Sequence, residues 1–393
     1  MGTTLVVNPG SSSKKYALFK DGQTLLEMHF EGSSAGYEVC IQKEGSRQVC
    51  ESITHADFQI AFAKVAAAVK EHLTRESTPL STISVRVTAP GAIFQRHTVM
   101  DESFIDLLRN KELSAPLHIP NILKEVQSCK EHFPNVRIIA ASDSAFHSTL
   151  PFVAREFSLQ KEDALAFDIH RFGYHGLSIS SVVHRVHAVT GKEPQKMVVC
   201  HIGNGVSVTA VKEGKSVETS MGYSPVSGIP MGSRASDLDS GALLELMRVK
   251  NMRPTEAMVY LHTSGGLMGI AGDADIRHLL DRRAKGDETA TKALSLFIYR
   301  IQQAILSSTV ALKGLDTLVL TGTAGFRSAE LRALIVKDLD YFDIYIDETR
   351  NDTLVGKEGA ISAQSAAIKV IVMRTDEMRE MARVAEQVDA SLK

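Results

Sequence analysis

The sequence predicts an α/β fold made of two copies of one strand-rich unit, and three observations lead to that prediction. The chain has 393 residues, a length that corresponds to two domains of ordinary size. Its opening segment alternates apolar stretches with Gly, Ser and Asn turns, as antiparallel strands do. A second stretch with the same order begins nearly two hundred residues later. The repeat indicates a duplicated fold in which each half contributes one loop to a shared cleft.

The first half begins with antiparallel strands. Residues 4–7 are typical of a short buried strand, residues 8–15 of a polar turn and residues 16–19 of a second strand. The pair Asp21-Gly22 predicts a hairpin turn into a third strand over residues 24–30. The half therefore opens as a three-stranded antiparallel unit.

A helix and two further strands follow in the first half. Apolar residues recur at intervals of three and four between Phe58 and Leu73, which predicts one helix with a single apolar face. Strand-like segments return near residues 83–88 and 137–141. The first half thus mixes antiparallel strands with later strands that are separated by helical sequence.

The second half repeats this order. Residues 197–200, 206–211 and 216–219 predict three strands, separated by turns over residues 201–205 and 213–215. Each copy passes from an apolar strand into a Gly/Ser/Asn turn and returns through a glycine hairpin. The match favours a common origin for the two halves.

A long helix and a second glycine turn come after the repeat. Apolar residues that recur from Leu294 onward predict an amphipathic helix that stops at Gly314. Residues 317–320 then predict a strand, residues 321–325 a small-residue turn, and Ser328 the start of another helix. A turn that precedes a helix directs backbone N–H groups at an anion.

The domain boundaries follow from these elements. We assign residues 1–144 to the first domain and residues 145–377 to the second. A closing helix begins near Thr375, and we expect its part over residues 378–393 to pack back onto the first domain.

Composition excludes several classes of function. Forty-four basic and forty-six acidic residues give a net charge of -2, so no global field attracts nucleic acid or an anionic membrane. The chain shows neither a basic leader nor the roughly 20 consecutive apolar residues of a membrane span. Cys40, Cys50, Cys129 and Cys200 lack the spacing and density of a disulfide scaffold, which predicts reduced thiols and a cytoplasmic protein.

The first glycine turn is a candidate phosphate site. Gly10 is followed by three serines, and Lys15 adds a positive charge, a combination that suits a phosphate chain. A strand follows the turn, so it is not a Walker A loop. A surface turn with solubilising serines explains the same residues, and the repeat at residues 201–205 favours the phosphate interpretation.

Two arginines stand where a guanidinium needs an anionic partner. Arg86 lies inside an apolar strand, and Arg234 lies in a loop of small residues. An unpaired buried charge is costly, so each arginine binds either a ligand or a protein carboxylate. Asp237 and Asp239 offer Arg234 a local structural partner.

Several acids and histidines are further candidates. Asp143 and His147 follow the predicted strand at 137–141, and strand ends are where open α/β sheets place their chemistry. His175 is flanked by glycines, which allow close approach of a ligand. Glu377 lies in the first turn of the closing helix, where spacing alone indicates a structural acid. Because Cys and His metal motifs are missing from the sequence, any metal should be Mg²⁺ on oxygen ligands.

Long segments of the chain resemble the acetate and propionate kinase family, within the sugar kinase, Hsc70 and actin superfamily. The resemblance rests on VVNPGSSSKKYALF, SAPLHIP, SDSAFHSTLP, RFGYHG, HIGNGVSVTAVKEGKSVETSMGYSP, MGSRASDLD, SGGLMGIAGDADIR and GKEGAIS. It implies two ribonuclease-H-like domains of the actin-like ATPase fold with an interdomain cleft, and a homodimer.

The resemblance also implies roles for individual residues. Asp143, His175 and Arg234 occupy the catalytic positions, and Asn8 and Glu377 those that hold Mg²⁺. The carboxylic substrate is expected at Arg86, Leu117 and Pro225. Nucleotide contacts are implied for Ser11, Ser13, Lys15, His201, Ile202, Gly203, Asn204, Gly205, Asp275, Ile276, Arg277, Thr323, Ala324 and Gly325.

The implied reaction is reversible transfer of the ATP γ-phosphoryl group to acetate, which gives acetyl phosphate and ADP. The chain departs from the family at Thr88, where the family has valine, at Ile119, where it has asparagine, and over residues 323–327, where it has G-I-G-E-N. Propionate, butyrate or another short acid therefore remains an alternative substrate. A different phosphoryl donor and a non-catalytic nucleotide-binding relative remain open as well.

Overall fold

Two mixed β-sheets organise the chain, one in each of two units. The structure, a computed structural model, describes residues 2–10, 13–33 and 36–392. The first unit comprises Met1–Ala145 and Asp376–Lys393, and the second comprises Phe146–Thr375. The predicted α/β fold class is confirmed. No helix among the described residues is both long enough and apolar enough to cross a bilayer.

The sheet of the first unit has eight strands in the order β5-β4-β3-β2-β1-β6-β8-β7. The strands are β1 (Thr3–Asn8), β2 (Ser13–Lys20), β3 (Gln23–Ser33), β4 (Gly36–Lys43), β5 (Val49–Ile53), β6 (Leu80–Val87), β7 (Thr98–Val99) and β8 (Arg137–Ser142). The helices are α1 (His55–Gln59), α2 (Ala61–Arg75), α3 (Glu102–Asn110), α4 (Ile119–His132) and α16 (Glu377–Ala390). Strands β1, β6 and β8 are parallel, so their carboxyl ends share one edge of the sheet.

The sheet of the second unit has six strands in the order β11-β10-β9-β12-β14-β13. They are β9 (Lys196–Ile202), β10 (Val206–Lys212), β11 (Lys215–Thr219), β12 (Thr317–Thr321), β13 (Gly359–Ala360) and β14 (Lys369–Val372). The helices are α5 (Phe152–Arg155), α6 (Lys161–Ala166), α7 (Gly176–Thr190), α8 (Ser240–Lys250), α9 (Pro254–Thr263), α10 (Gly266–Ala271), α11 (Ile276–Ala284), α12 (Glu288–Leu312), α13 (Gly322–Arg327), α14 (Ala329–Val336) and α15 (Glu348–Thr353).

The duplication inferred from the sequence is present in the strand order. In the first unit β3-β2-β1 are antiparallel and β1-β6-β8 parallel. The second unit repeats this arrangement with β11-β10-β9 antiparallel and β9-β12-β14 parallel. The turn after β1 therefore corresponds to the turn after β9.

Each sheet is buried by helices that the apolar pattern supplies. In the first unit α2 and α4 pack on one another and on the sheet, and α16 packs against β1, β6 and β8. In the second unit the 25-residue helix α12 covers β9, β10 and β11 with apolar residues such as Phe297 and Ile301, which are fully buried. Packing on both faces leaves the strand ends as the places where polar side chains meet.

Some local predictions were wrong. The helix expected from Phe58 to Leu73 is two helices, because Thr54 caps α1 and the chain turns at Ile60 before α2 begins. The turn expected over residues 8–15 is shorter, since β2 already begins at Ser13. Thr323 to Gly325 lie in α13 and not in a turn, because Gly322 has a φ of 77° and redirects the chain in one residue.

The prediction of reduced cysteines was wrong for one pair. Cys40 and Cys50 are directly opposite on the antiparallel strands β4 and β5 and form a disulfide. Cys129 and Cys200 are buried free thiols. The spacing argument missed the pair because cross-strand neighbours are set by the register of a hairpin that had not been recognised.

Candidate active site

The carboxyl ends of β1, β6 and β8 bring four predicted residues together in the first unit. Asn8 ends β1, Arg86 lies one residue before the end of β6, Asp143 follows β8, and Glu377 is the first residue of α16. Arg86 donates to Asp143 Oδ2 from NH2 at 2.6 Å and from Nε at 3.2 Å. Its NH1 lies 3.3 Å from both Asn8 Oδ1 and Glu377 Oε2. We call these four residues the Arg86 cluster.

The Arg86 cluster contains the ion pair that the sequence allowed for Arg86. The Asp143 side chain is only 1% exposed, whereas 21% of the Arg86 side chain remains exposed. Burial raises the pKa of Asp143, against the opposing effect of the nearby Arg86 charge. Burial would lower the pKa of Arg86, but the charges of Asp143 and Glu377 outweigh it and raise that pKa. Arg86 is therefore a permanent cation whose side chain is partly exposed.

The two oxygens of Asp143 have different surroundings. Oδ2 accepts from Arg86 and from the Thr88 hydroxyl, which lies 3.3 Å away. Oδ1 is buried and has no hydrogen-bond partner among residues 2–10, 13–33 and 36–392. Asn8 and Glu377 add further oxygens, and Asn8 Nδ2 donates to Glu377 Oε2 at 3.4 Å. The three side chains thus contain the hard oxygen ligands that Mg²⁺ prefers. The residues present therefore fit a magnesium ion.

The predicted phosphate residues of the first turn lie next to the cluster on the sheet. Lys15 in β2 is paired directly with Asn8 in β1, and its side chain is exposed. Ser13 Oγ lies 2.8 Å from His29 Nε2. A Cβ on Gly10 would be 2.3 Å from the Ser13 carbonyl oxygen, so the tight turn requires glycine. Ser11 lies outside the described residues.

Leu117 lies just before α4, where 36% of its surface is exposed. Its carbonyl oxygen accepts from Asn121 Nδ2 at 3.1 Å, which anchors the start of the helix. The structure thus gives Leu117 an accessible apolar side chain but does not link it to the Arg86 cluster by a hydrogen bond.

In the second unit His175 and Arg234 meet over the backbone of Gly205. A Cβ on Gly205 would lie 2.8 Å from His175 Nε2 and 3.3 Å from Arg234 NH1. His175 Nδ1 is 3.0 Å from Ser207 Oγ, and Arg234 NH1 donates to the Pro225 carbonyl at 3.1 Å. Pro225, a predicted substrate residue, thereby holds Arg234, a predicted catalytic residue. We call His175 and Arg234 the His175–Arg234 pair.

The backbone of His175 is unusual. It precedes α7 with a φ of 61°, a left-handed conformation that is uncommon for a residue with a side chain. Its ring packs against that of His201 at the end of β9, with centroids 4.3 Å apart. Strain of this kind persists only where the surroundings enforce it, and it is frequent at functional sites.

The acids near Arg234 in sequence have other roles. Asp237 accepts from the Gly228 N–H at 2.7 Å, and Asp239 caps α8 by accepting from the Ala242 N–H at 2.9 Å. The local ion pair that the sequence offered for Arg234 is therefore not the arrangement found.

Two predicted nucleotide segments pack together in the second unit. The turn after β9 closes with a bond from the Gly203 N–H to the Gly205 carbonyl at 2.9 Å, and Asn204 lies between them. A Cβ on Gly322 would be 2.5 Å from the Ile202 carbonyl oxygen, so α13 starts directly on the end of β9. This contact brings Ile202 beside the helix that contains Thr323, Ala324 and Gly325.

A third nucleotide segment adjoins the Arg234 loop. Asp275 caps α11 and pairs with Arg277 at 2.6 Å, and Ile276 is the first, buried residue of that helix. The Arg277 side chain is 83% exposed. Ala274, the residue before Asp275, packs against Gly232, which lies two residues before Arg234.

Sequence analysis missed a buried arginine that holds α13. Arg332 exposes none of its surface, and its NH1 donates to the carbonyls of Gly325 at 3.0 Å and Phe326 at 3.1 Å. Its Nε donates to Asn351 Oδ1 at 2.7 Å. A single arginine in the apolar segment LRALIV was the available signal.

Known proteins resemble this chain over nearly its whole length. The model of the Acetokinase family matches residues 3–383. Acetate kinase of Clostridium acetobutylicum is 34% identical and covers 99% of each chain, and acetate kinase of Acetivibrio thermocellus is 33% identical and covers 96% of this chain and 97% of its own. Among solved structures, a propionate kinase from Francisella tularensis has a TM-score of 0.88 at 27% identity, with 99% of this chain and 100% of its own covered. Acetate kinase of Porphyromonas gingivalis has a TM-score of 0.83 at 28% identity and full coverage of both chains.

Proposed function

The chain belongs to the acetokinase family, and from that premise we propose that it transfers the γ-phosphoryl group of ATP reversibly to acetate, giving acetyl phosphate and ADP. It is a phosphotransferase whose acceptor is a carboxyl group. The observation that best supports the proposed mechanism is the His175–Arg234 pair, because two nitrogen donors converge over the backbone of one glycine.

The His175–Arg234 pair would bind the oxygens of the transferring phosphoryl group. In phosphoryl transfer the negative charge is spread over three equatorial oxygens, and fixed cationic donors stabilise it. Arg234 supplies a guanidinium, and His175 supplies an imidazole nitrogen on the same side of Gly205. The glycine brings both donors close to a space that any larger residue would fill.

In the first unit Arg86 would bind the substrate carboxylate. A carboxylate of this kind is ionised at neutral pH, so it needs no general base before it attacks phosphorus. Catalysis then depends on positioning and charge neutralisation. The partly exposed Arg86 side chain is suited to this, and its ion pairs with Asp143 and Glu377 fix its orientation.

Asn8, Asp143 and Glu377 would hold Mg²⁺. When bound, the ion supplies positive charge that neutralises phosphate oxygens. The buried Asp143 Oδ1 is the oxygen that most needs such a partner, because the hydrogen bonds described for this carboxylate all go to Oδ2.

The nucleotide would lie on the segments of the second unit that carry backbone N–H groups. The turn at Gly203 to Gly205 and the start of α13 suit phosphates and ribose, and Asp275 to Arg277 suit the nucleoside end. Lys15 and Ser13 are the proposed phosphate contacts of the first unit. We propose that each unit is one ribonuclease-H-like domain.

Propionate is the second candidate substrate, because one close structural neighbour is a propionate kinase. Thr88 does not itself favour either acid. Its hydroxyl donates to Asp143 and is therefore already paired. The threonine thus makes the acyl pocket less polar than the change from valine to threonine in the sequence suggested.

We propose that the protein is a homodimer that forms through α8. No residue of this helix is buried, although Leu244 and Val249 are apolar and about two-thirds exposed. A second copy of the chain would cover these two exposed side chains. Sedimentation should show a dimer for the parent and a monomer for Leu244→Asp, and a monomeric parent would contradict the proposal.

We propose a cytoplasmic location, because the proposed donor ATP is made and consumed there. Fractionation of intact cells should recover the protein with the cytoplasmic fraction. Recovery of most of the protein outside that fraction would contradict the location.

Hydroxylamine trapping of acyl phosphate tests the reaction. We expect acetate with ATP and Mg²⁺ to give the highest kcat/KM in a panel of acetate, propionate and butyrate, each also assayed with pyrophosphate as donor. Arg234→Ala should lower kcat about 10³-fold, whereas Arg109→Ala, an exposed arginine paired with Asp106, should not. Nucleotide binding without acyl phosphate from any acid would leave only a binding protein.

A further inference from the structure

His147 is a buried histidine to which the proposed reaction assigns no role. It lies in the 3-10 turn Ala145–Thr149 and exposes none of its surface. Burial lowers the pKa of its imidazole to about 4, so the ring is neutral at neutral pH. A neutral imidazole has one N–H donor and one bare acceptor nitrogen, and the neighbours identify which is which.

The contacts of His147 determine its tautomer. Nε2 lies 2.9 Å from the Tyr174 carbonyl oxygen, which can only accept, so Nε2 carries the hydrogen. Nδ1 is then the acceptor for the hydroxyl of the buried Ser216, 2.9 Å away. Thr149 Oγ1 donates to the Ser216 carbonyl at 2.8 Å, which ties the same turn to β11 a second time.

The His147 ring also packs against the backbone of Gly173. A Cβ at this position would lie 2.6 Å from both Cγ and Cδ2 of the ring. Gly173 has a φ of 71°, so it needs glycine for its conformation as well as for space. One side chain thus holds Gly173 by packing and Tyr174 by a hydrogen bond, the two residues immediately before His175.

His175 needs support because its backbone is in the left-handed region. A relaxation of φ at His175 would rotate the imidazole away from Gly205, where Nε2 lies beside Arg234 NH1. Displacements of about 1 Å at a reacting group can cost about 100-fold in rate. The orientation of the Tyr174–His175 peptide therefore determines whether the two donors converge.

We propose that His147 is a positioning residue for phosphoryl transfer, which holds His175 in its left-handed conformation through the Tyr174 carbonyl. This inference rests on the proposed function, since it assumes that His175 contacts the transferring phosphoryl group. His147 itself touches neither substrate.

Two substitutions of His147 separate positioning from packing. His147→Leu fills the space but removes the donor, and we expect kcat to fall about 10- to 100-fold while both KM values change less than about threefold. His147→Gln keeps an N–H donor at similar reach and should recover most of the loss. Val186→Ala, a fully buried change in α7, is the matched control for lowered stability and should leave kcat unchanged.

A double-mutant cycle tests whether His147 acts through His175. In a His175→Ala background, His147→Leu should lower kcat by less than about threefold. An equal loss in both backgrounds would overturn the proposal. Should His147→Leu fail to fold, Ser216→Ala replaces it, with an expected loss of about three- to tenfold that likewise disappears in the His175→Ala background.

The ¹⁵N shifts of the His147 ring test the geometry without any reaction. They should show a protonated Nε2 and a bare Nδ1, and a protonated Nδ1 would refute the hydrogen bond to Tyr174. A parent enzyme that makes no acyl phosphate would contradict the proposed function. The ¹⁵N shifts of the ring would still show whether His147 donates to the Tyr174 carbonyl.

Discussion

Gly205→Ala is the substitution that most directly tests the His175–Arg234 pair. The added Cβ would lie 2.8 Å from His175 Nε2 and 3.0 Å from its Cε1, whereas an ordinary contact begins at about 3.4 Å. The imidazole must therefore withdraw by about 0.6 Å, and Arg234 NH1, 3.3 Å from the new atom, needs to shift much less. Gly205 does not have a left-handed φ, so alanine itself is tolerated by the backbone.

A shift of this size at a group that contacts the transition state should lower kcat about 10- to 100-fold, or about 1.4 to 2.7 kcal/mol. Initial rates of acyl phosphate formation at saturating ATP and acetate measure kcat, and thermal unfolding reports the stability. Gly203→Ala is the matched change in the same turn, because its Cβ would approach His201 Nε2 at 3.4 Å and the Gly205 carbonyl oxygen at 3.6 Å but neither member of the His175–Arg234 pair. Since Gly203 belongs to the proposed nucleotide turn, we expect this change to affect the KM for ATP and to alter kcat less than about threefold. Equal kcat values for Gly205→Ala and the parent would refute the role of the pair.

Three further predictions follow from the contacts of single side chains. Arg86→Lys keeps the charge, but a lysine cannot reach Asp143, Asn8 and Glu377 together. The KM for acetate should therefore rise at least about tenfold, while the KM for ATP stays nearly constant. Equal changes in both KM values would contradict the assignment of Arg86 to the carboxylate. Thr88→Val removes a hydrogen-bond donor to Asp143, so kcat should fall. The ratio of kcat/KM for acetate to that for propionate should change less than about threefold. A tenfold change in this ratio would instead make Thr88 a residue of the acyl pocket. Burial lowers the pKa of His147 to about 4, below the 6.5 of the unfolded chain, so the stability that its neutral ring contributes is complete above pH 6.5 and decreases as the pH falls towards 4. Denaturant unfolding should show that this group costs about 2 kcal/mol of unfolding free energy by pH 5, and that His147→Gln lacks this loss. Parallel curves of unfolding free energy against pH for the two proteins would refute the prediction.

Local sequence predicted those parts of the fold in which chemistry and geometry are decided within a few residues. Asp21-Gly22 forms the expected hairpin because both residues have a positive φ, which the pair tolerates better than most. The apolar segments that open the two copies of the repeat are the equivalent strands β1 and β9. In both cases the signal and the structure that it determines are adjacent in the chain.

Features that depend on distant residues escaped the sequence analysis. Lys14 appeared to be part of a polar turn, but it is a buried residue of β2 that pairs with Glu125 at 3.0 Å, 111 positions away. Arg332 is buried because Asn351 and two carbonyls of α13 satisfy its guanidinium. Periodicity identifies a charged residue as an exception in an apolar segment, but the residue that compensates its charge is determined by the tertiary fold.

The site itself was predicted better by residue type than by arrangement. Arg86 was recognised as a cation in need of an anion, and Glu377 appeared structural on spacing alone. The two meet at 3.3 Å although 291 positions separate them, because α16 packs against β6. The return of the closing helix to the first sheet is what brings Glu377 to Arg86.

The duplicated topology explains why the two units would carry different parts of the reaction. In the first unit the parallel strands β6 and β8 end at Arg86 and Asp143, so the strand ends concentrate charge. In the second unit the corresponding strands β12 and β14 end without charge: Thr321 is buried and donates to the Met373 carbonyl at 2.7 Å. Charged strand ends suit a metal and a carboxylate, whereas neutral ends allow the turns to pack tightly and present backbone N–H groups to phosphates. Under the proposed function, the same scaffold would therefore separate acid binding from nucleotide binding by the residues that end equivalent strands.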